Sequence, residues 1–499
     1  MNDRRFYVLV GSITLALAIL GAILGTWWDE EYTLATTSHG PIYAFGRALT
    51  FELQAPLYFV VLAVWRGIDS SVFFARLFSV LCIAGFAFAA REIARRIRPD
   101  LSPLSFVVLA IANPFVVFAA MEIRLYALAL LLSSLLWLAF YDGYLSEDRP
   151  RARVWFVAIA IASIYVQYFL AFALVAGACA LIVARRYAAL RSFLLACCVA
   201  GIAIAPVLWW APAQAAANYL AAASVGDLFR SMVQPAMTFA LPLSYDWTGA
   251  WYLLKSAHHV TEIGTLILLL VFAAKRLSAR EWAIVAFPIL MWCVFFFAAA
   301  TLHLHYTLPR HFVGLYVPEI AALYVLVSRA AVDGQRRLAL GIALLYALFS
   351  AATLITTYRS LAKPGDWPRV GAYLTSHVQA GDRVAVFPAR GLPALVRWYH
   401  GPDEVQPLPH AENLLHYDEQ SDEFTSTRDA RVALEKLTRG HKLWLVIAVD
   451  CDDAGARAGC KHLVEAVSRN YPRLRVNMFY LNRVVELSAP PQRAPRPRP

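Results

Sequence analysis

Residues 6–32 read FYVLVGSITLALAILGAILGTWWDEEY. The run from Phe6 to Thr26 is apolar and long enough to cross a bilayer as one helix, which takes about 20 residues. Trp27, Trp28 and Tyr32 then mark the depth of the membrane–water interface, where amphipathic rings collect. Among these aromatics stand three consecutive acids, Asp29, Glu30 and Glu31. Ionised groups so close to hydrocarbon are costly and are mostly kept for function. A solvated loop start is the plain alternative. No small-residue cleavage site closes the run, so it is expected to remain as a helix.

The rest of the chain repeats the first signal. Over 499 residues, 60% are hydrophobic and 16% charged, and the mean hydropathy is +0.55. No soluble domain of that length has such a composition. About eleven spans are expected, near 6–26, 72–90, 102–120, 123–141, 154–170, 171–184, 190–210, 260–274, 281–301, 311–328 and 338–355. The stretch 154–184 reads either as one long tilted helix or as a tight hairpin. The predicted fold class is therefore mainly α, a polytopic transmembrane helical bundle, with a small C-terminal α/β soluble domain.

Charge predicts the orientation. Alternate loops carry Arg4 and Arg5; Arg91, Arg95, Arg96 and Arg98; Arg149, Arg151 and Arg153; Arg185, Arg186 and Arg191; Lys275, Arg276 and Arg280; Arg329, Arg336 and Arg337. The opposite loops carry only Arg47, Arg66, Arg76, Arg124, Arg230, Lys255 and Arg310. Cations accumulate in short cytoplasmic loops. The N-terminus is thus expected inside and the tail outside, and alternation through every loop favours the hairpin at 154–184. The net charge of +11 is largely topological and calls for no nucleic-acid partner.

Three domains follow: a membrane domain 1–355, an α/β domain 356–488, and a Pro/Arg-rich tail 489–499 of disordered composition. The membrane domain has outer loops at 27–71 and 209–260. The first contains a short apolar piece, Gln54 to Trp65, that reads as interfacial or re-entrant. The second contains Asp227, Arg230, Asp246, Lys255, His258 and His259. In the α/β domain, Arg383–Phe387 and Lys442–Val449 have strand character, with closing strands at 474–479 and 482–487. Helices are expected at 366–379, 428–438 and 461–470, with Asp366 as an N-cap.

Cys82, Cys179, Cys197, Cys198 and Cys293 fall inside spans, where thiols pack as small apolar groups. Cys451 and Cys460 are the two in the exported domain, and an oxidising compartment would let them form a disulfide. Two free thiols are the alternative. Zinc finds no four-ligand set there beyond a contribution from His462.

The order of motifs is more specific than any one of them. Asp29-Glu30 is followed by Ala55-Pro56-Leu57-Tyr58, by Phe74-Ala75-Arg76 opening a span, and by Met121-Glu122-Ile123-Arg124-Leu125-Tyr126 in a later outer turn. Pro309-Arg310-His311 then opens an outward-facing span end, and Lys363-Pro364-Gly365-Asp366-Trp367 leads into the tail. This order resembles the integral-membrane glycosyltransferases of the C-type fold, more closely the bacterial relatives of protein O-mannosyltransferases and of the lipid A aminoarabinose transferase (family 39-like). The resemblance covers the chain to about residue 490.

It implies a sugar donor on a polyprenyl-phosphate carrier, membrane lipid as surroundings, and a protein, lipid or glycan acceptor. The site would lie on the outer face of a bacterial cytoplasmic membrane. The family's Asp-Glu motif matches Asp29 and Glu30, with the Asp as base. Its Arg-Tyr is Arg310-His311 here, so the second position departs from the pattern. Two further departures are Ala55-Pro56, where relatives often have two prolines, and Gln167, where a His is common.

The residues support the same chemistry directly. An interfacial carboxylate can take a proton from an incoming hydroxyl, an aid worth about 10²–10⁴-fold. A phosphate leaving group needs cations, and the planar fork of Arg pairs two of its oxygens. Arg124 and Arg310 are the first candidates, with His311, Arg76 and Lys255 behind them. Glu122, Tyr126, Tyr58 and Glu319 are expected to line the cavity. Plain alternatives stand beside each: Glu31 as a solvated neighbour, Glu122 with Arg124 as an ion pair closing a turn, Arg310 reaching lipid headgroups, Glu319 bonding a neighbouring helix.

No cofactor is required by these residues. A divalent cation is the one addition considered, at His303, His305 and His311, although alternating His at an interface more often simply face the headgroups. Competing functions are an O-antigen ligase or polymerase, which lacks the early Asp-Glu pair, a lipid transporter or flippase, which would show internal repeats and midplane charges, and a scaffold.

Overall fold

A computed structural model describes residues 3–146, 149–210, 277–302, 309–332, 336–363, 365–410, 423–448, 458–471 and 474–488, with a few isolated positions between 226 and 271. The chain divides into two compact units that do not follow chain order. One comprises residues 1–22, 36–49 and 53–359; the other comprises 23–35, 50–52 and 360–499.

The first unit is helical: α1 Asp3–Ile23, α2 Trp28–Thr36 (only its last residue here), α3 Pro41–Thr50, α4 Leu57–Arg66, α5 Val72–Ile97, α6 Pro103–Ile111, α7 Pro114–Met121, α8 Tyr126–Phe140, α9 Pro150–Val166, α10 Phe172–Val183 and α11 Tyr187–Leu208, then helices Ala279–Leu302, Val313–Val332 and Arg336–Tyr358. Among the described residues seven helices are long and apolar enough to span a membrane, or eight if one bent pair is a single span. The chain is a multi-pass helical membrane protein. The expected span at 260–274 lies outside the described residues apart from Val271.

Burial orders these helices. The Arg310–Val332 segment is 83% buried over its apolar window, whereas Asp3–Ile23, Tyr187–Val207 and Arg336–Tyr358 are below a third. A helix apolar on every side must sit in a protein core or in lipid, so the first is the centre of the bundle and the others its lipid-facing rim. Close approach at the centre depends on Gly314, where a Cβ would meet Met291 at 2.8 Å and Leu170 at 2.9 Å.

One expectation is corrected here. The stretch 102–120 is not one straight span, because α6 and α7 meet at 62°. Asn113 precedes Pro114, and a residue before proline is driven out of the helical region; it is extended, at φ −68° and ψ 129°. Its side chain then caps α7, accepting from Phe115 N at 2.9 Å. The stretch 154–184, where charge alternation favours a hairpin over one tilted helix, forms two helices: Gln167 is extended, and a 3₁₀ turn, Tyr168–Ala171, leads into α10. The piece at 54–65 forms α4, ten residues long and too short to cross.

The second unit contains a five-stranded sheet: β1 Arg383–Phe387, β2 Val405–Pro407, β3 Leu443–Ile447, β4 Arg475–Phe479 and β5 Asn482–Leu487, in the order β2-β1-β3-β5-β4. β1 pairs in parallel with β2 and β3, and β5 runs antiparallel to β3 and β4. Side chains alternate across a sheet, so it has two cores. Ala385, Phe387, Leu445 and Ile447 face helices Thr427–Thr438 and Ala458–Asn470, whose Leu434 and Leu463 pack there. Val384, Val386, Trp444 and Val446 face helices Trp367–His377 and Leu392–Trp398, through Val370, Leu374 and Leu395. Trp28 belongs to this second core.

Asp366 stands at the N-cap position but does not cap with its side chain. Its backbone is left-handed, at φ 43°, and its carboxylate instead accepts from Arg369 Nη1 at 3.0 Å. Burial pushes this carboxyl above its ordinary range, against the opposing pull of Arg369.

Candidate active site

The acids of residues 29–31 lie in the first turn of α2, where the helix dipole favours negative charge. They fall in the second unit and do not share one environment. Asp29 is half-buried, and its carbonyl accepts from Thr33 Oγ1 at 3.1 Å. Glu30 is fully buried and forms an ion pair with Lys363 Nζ at 2.7 Å. Glu31, expected in solvent, is buried and paired with Arg397 Nε. Two carboxylates removed from water need such partners, since an uncompensated buried charge is very costly.

Aromatic packing secures the same helix. The Trp28 ring lies 6.5 Å from that of Trp367, and the Arg390 guanidinium lies 5.5 Å from the Trp28 ring centre. Tyr32 donates its hydroxyl to the Arg390 carbonyl at 3.2 Å, and its ring meets Phe51 edge-on at 5.2 Å.

The first unit holds the expected cations. Arg76, in α5, is buried and donates to the Gly21 carbonyl at 2.6 Å. Glu122 and Arg124 are buried in the short turn between α7 and α8. Ser79 Oγ fixes that turn by donating to the Glu122 carbonyl at 2.7 Å. Tyr126 opens α8 and stacks on Phe118 at 5.7 Å. Tyr58 is fully buried in α4, edge-on to Phe59 at 5.3 Å.

Arg310 and His311 form a 3₁₀ turn, Pro309–Phe312, at the head of the central helix. Gln167 Nε2 donates to the Arg310 carbonyl at 3.4 Å. The structure thus joins the turn after α9 to the head of the central helix. Phe169, from the Tyr168–Ala171 turn, lies 6.4 Å from the His311 ring. Glu319 is half-buried on the central helix, one residue after Pro318.

Lys255, His258, His259, His303, His305 and Cys451 lie outside the described residues. Cys460 is engaged in a disulfide. Among the described residues no three His, Cys, Asp or Glu side chains gather as a metal site would require.

Two groups are not predicted from the sequence: Lys363 lies in a motif that carries no role there, and Arg397 lies in no motif. The available signal was the charge count: three adjacent interfacial acids demand nearby cations, and the first outer loop supplies few.

No family model matches the sequence, and no curated protein matches it. Among solved structures, the chain is similar to ArnT from Cupriavidus metallidurans bound to undecaprenyl phosphate, with TM-score 0.45 and 14% identity over 98% of this chain and 100% of that one. It is similar to the same protein in the apo state, with TM-score 0.46 and 14% identity over 97% of this chain and 99% of that one. A third similarity is to the Archaeoglobus fulgidus oligosaccharyltransferase in complex with zinc and sulfate, with TM-score 0.42 and 12% identity over 93% of this chain and 71% of that one. These likenesses concern the overall course of the chain and assign no residue.

Proposed function

We propose that this chain is an inverting membrane glycosyltransferase that moves a sugar from a polyprenyl-phosphate donor to an acceptor hydroxyl or phosphate on the extracytoplasmic face of a bacterial cytoplasmic membrane. Asp29 is the base. One observation carries this choice: of three adjacent acids, Glu30 and Glu31 are buried against Lys363 and Arg397, while Asp29 remains half-buried beside them.

The carboxylate of Asp29 takes the proton of the acceptor hydroxyl. The acceptor oxygen bonds to the anomeric carbon, the bond from that carbon to the phosphate oxygen breaks, and polyprenyl phosphate leaves with the electron pair. Attack opposite the leaving group inverts the configuration. Arg124 and Arg310 neutralise the departing phosphate, with Arg76, His311 and Lys255 as secondary cations and Glu122, Tyr126, Tyr58 and Glu319 as cavity residues.

The polyprenyl chain needs an apolar surface within the bundle. Transfer of label from a polyprenyl-phosphate sugar, by wild type and by Asp29→Asn, tests the reading. Broken helices such as the α6–α7 bend also occur in transporters, and movement of donor across vesicles without sugar transfer would favour that class.

A further inference from the structure

We propose that Lys363 and Arg397 are positioning residues: by pairing with Glu30 and Glu31 they hold the helix bearing Asp29 on the C-terminal α/β domain, which thereby belongs to the catalytic apparatus. The inference rests on the reading of Asp29 as the base. Residues 23–35 form one compact unit with residues 360–499, so the segment carrying the acids is built into the tail domain's own core.

The ties bracket Asp29 on both sides. Before it, a Cβ at Gly25 would lie 2.5 Å from Pro368, and Trp398 Nε1 donates to Thr26 Oγ1 at 3.3 Å. Trp28 fills the core against Trp367. After it come the Glu30 and Glu31 ion pairs and the Tyr32 hydroxyl on the Arg390 carbonyl. Asp29 is the residue between these ties that keeps exposure. A reacting group misplaced by about 1 Å can lose 10²-fold in rate, so a segment fixed at six neighbouring positions suits a base.

The same ties explain the Lys363–Trp367 motif. Gly365 is left-handed, at φ +95°, and a Cβ there would meet Trp367 Nε1 at 2.5 Å. Asp366 is left-handed as well. This double reversal presents Lys363 and Trp367 to one segment, the first to Glu30 and the second to Trp28.

The test uses full-length protein in nanodiscs, with sugar transfer from polyprenyl-phosphate mannose and aminoarabinose as one readout. Hydrogen exchange over residues 27–35 is the second. Lys363→Met and Glu30→Gln should each lower kcat about tenfold or more with donor KM changed less than about twofold. Exchange over 27–35 should accelerate in both. The Glu30→Gln/Lys363→Met pair should be no worse than the poorer single variant, because both act through one contact. Lys363→Arg should retain most of the rate.

Should Lys363→Met fail to fold, Arg397→Met takes its place, since that side chain is 37% exposed. Folded single variants with wild-type kcat, losses that multiply in the pair, or unchanged exchange over 27–35 would overturn the proposal. If folded wild type transfers sugar from no donor, the glycosyltransferase reading itself falls and the positioning role with it. Exchange would then still decide whether Lys363 holds the segment.

Discussion

Lys363 Nζ sits 2.7 Å from Glu30 Oε1, and neither side chain is more than 5% exposed. Buried pairs of this kind contribute little net stability relative to an apolar pair of the same shape, yet losing one partner leaves a charge stranded. Lys363→Met is therefore expected to destabilise the second unit by about 3–5 kcal/mol. Adding Glu30→Gln should restore most of that. Thermal unfolding of the two variants beside wild type measures it, and a double variant less stable than Lys363→Met would contradict the pairing.

The helix break at Asn113 has its own energetic prediction. Asn113 caps α7 and also donates to the Tyr346 hydroxyl at 2.9 Å and the Phe239 carbonyl at 3.0 Å. Asn113→Ala removes an N-cap worth about 1 kcal/mol and leaves buried groups without a donor, at about 1–3 kcal/mol. The melting temperature in detergent should fall clearly. Asn113→Asp keeps the cap but loses the donor and sets a buried carboxyl against the Phe239 carbonyl, and so should fall further than Asn113→Ala.

For the cations, Arg310→Ala and Arg124→Ala should each reduce kcat/KM for the lipid-linked donor by about 10–100-fold, the range expected for a hydrogen bond to a charged group. Lys at either position should recover part of this, because it keeps charge without the fork. Steady-state kinetics with a fixed acceptor provide the comparison. Retention of wild-type kcat/KM in Arg310→Ala would remove that residue from the phosphate site.

A pH effect follows from Asp366. Its carboxyl is raised in the fold, chiefly by burial, so the folded protein binds that proton more tightly than the unfolded chain does. The favourable contribution is complete below the ordinary Asp value of about 3.9 and is lost as pH rises through the raised folded value. Asp366→Asn, which tolerates the left-handed backbone, should remove that decline. The stability difference between wild type and variant, followed by denaturant unfolding across this window, should shift in favour of the variant as pH rises.

Much of the architecture was legible because it is local. Apolar run length gives the spans, and short apolar runs give β1 and β3, with β4 and β5 as closing strands, all within a residue or two of where they stand. The bend at Asn113-Pro114 was also written in the chain, but a uniformly apolar window hides a dipeptide signal. The short β2 and the helix Leu392–Trp398 carry too little periodicity to declare themselves. The environments of Glu30 and Glu31 were not legible at all. They depend on Lys363 and Arg397, more than 300 residues away in the chain, and a single sequence does not encode which distant cation meets which acid. Without that knowledge three adjacent carboxylates look alike.

The most direct test of the account is transfer of radiolabelled sugar from polyprenyl-phosphate donors by the purified protein in nanodiscs, wild type beside Asp29→Asn, with crude envelope as acceptor. The account predicts transfer by wild type and a loss of about 10²–10⁴-fold in a variant that remains folded. Equal transfer by the two proteins would contradict Asp29 as the base, and absence of transfer by folded wild type from every donor would contradict the proposed activity.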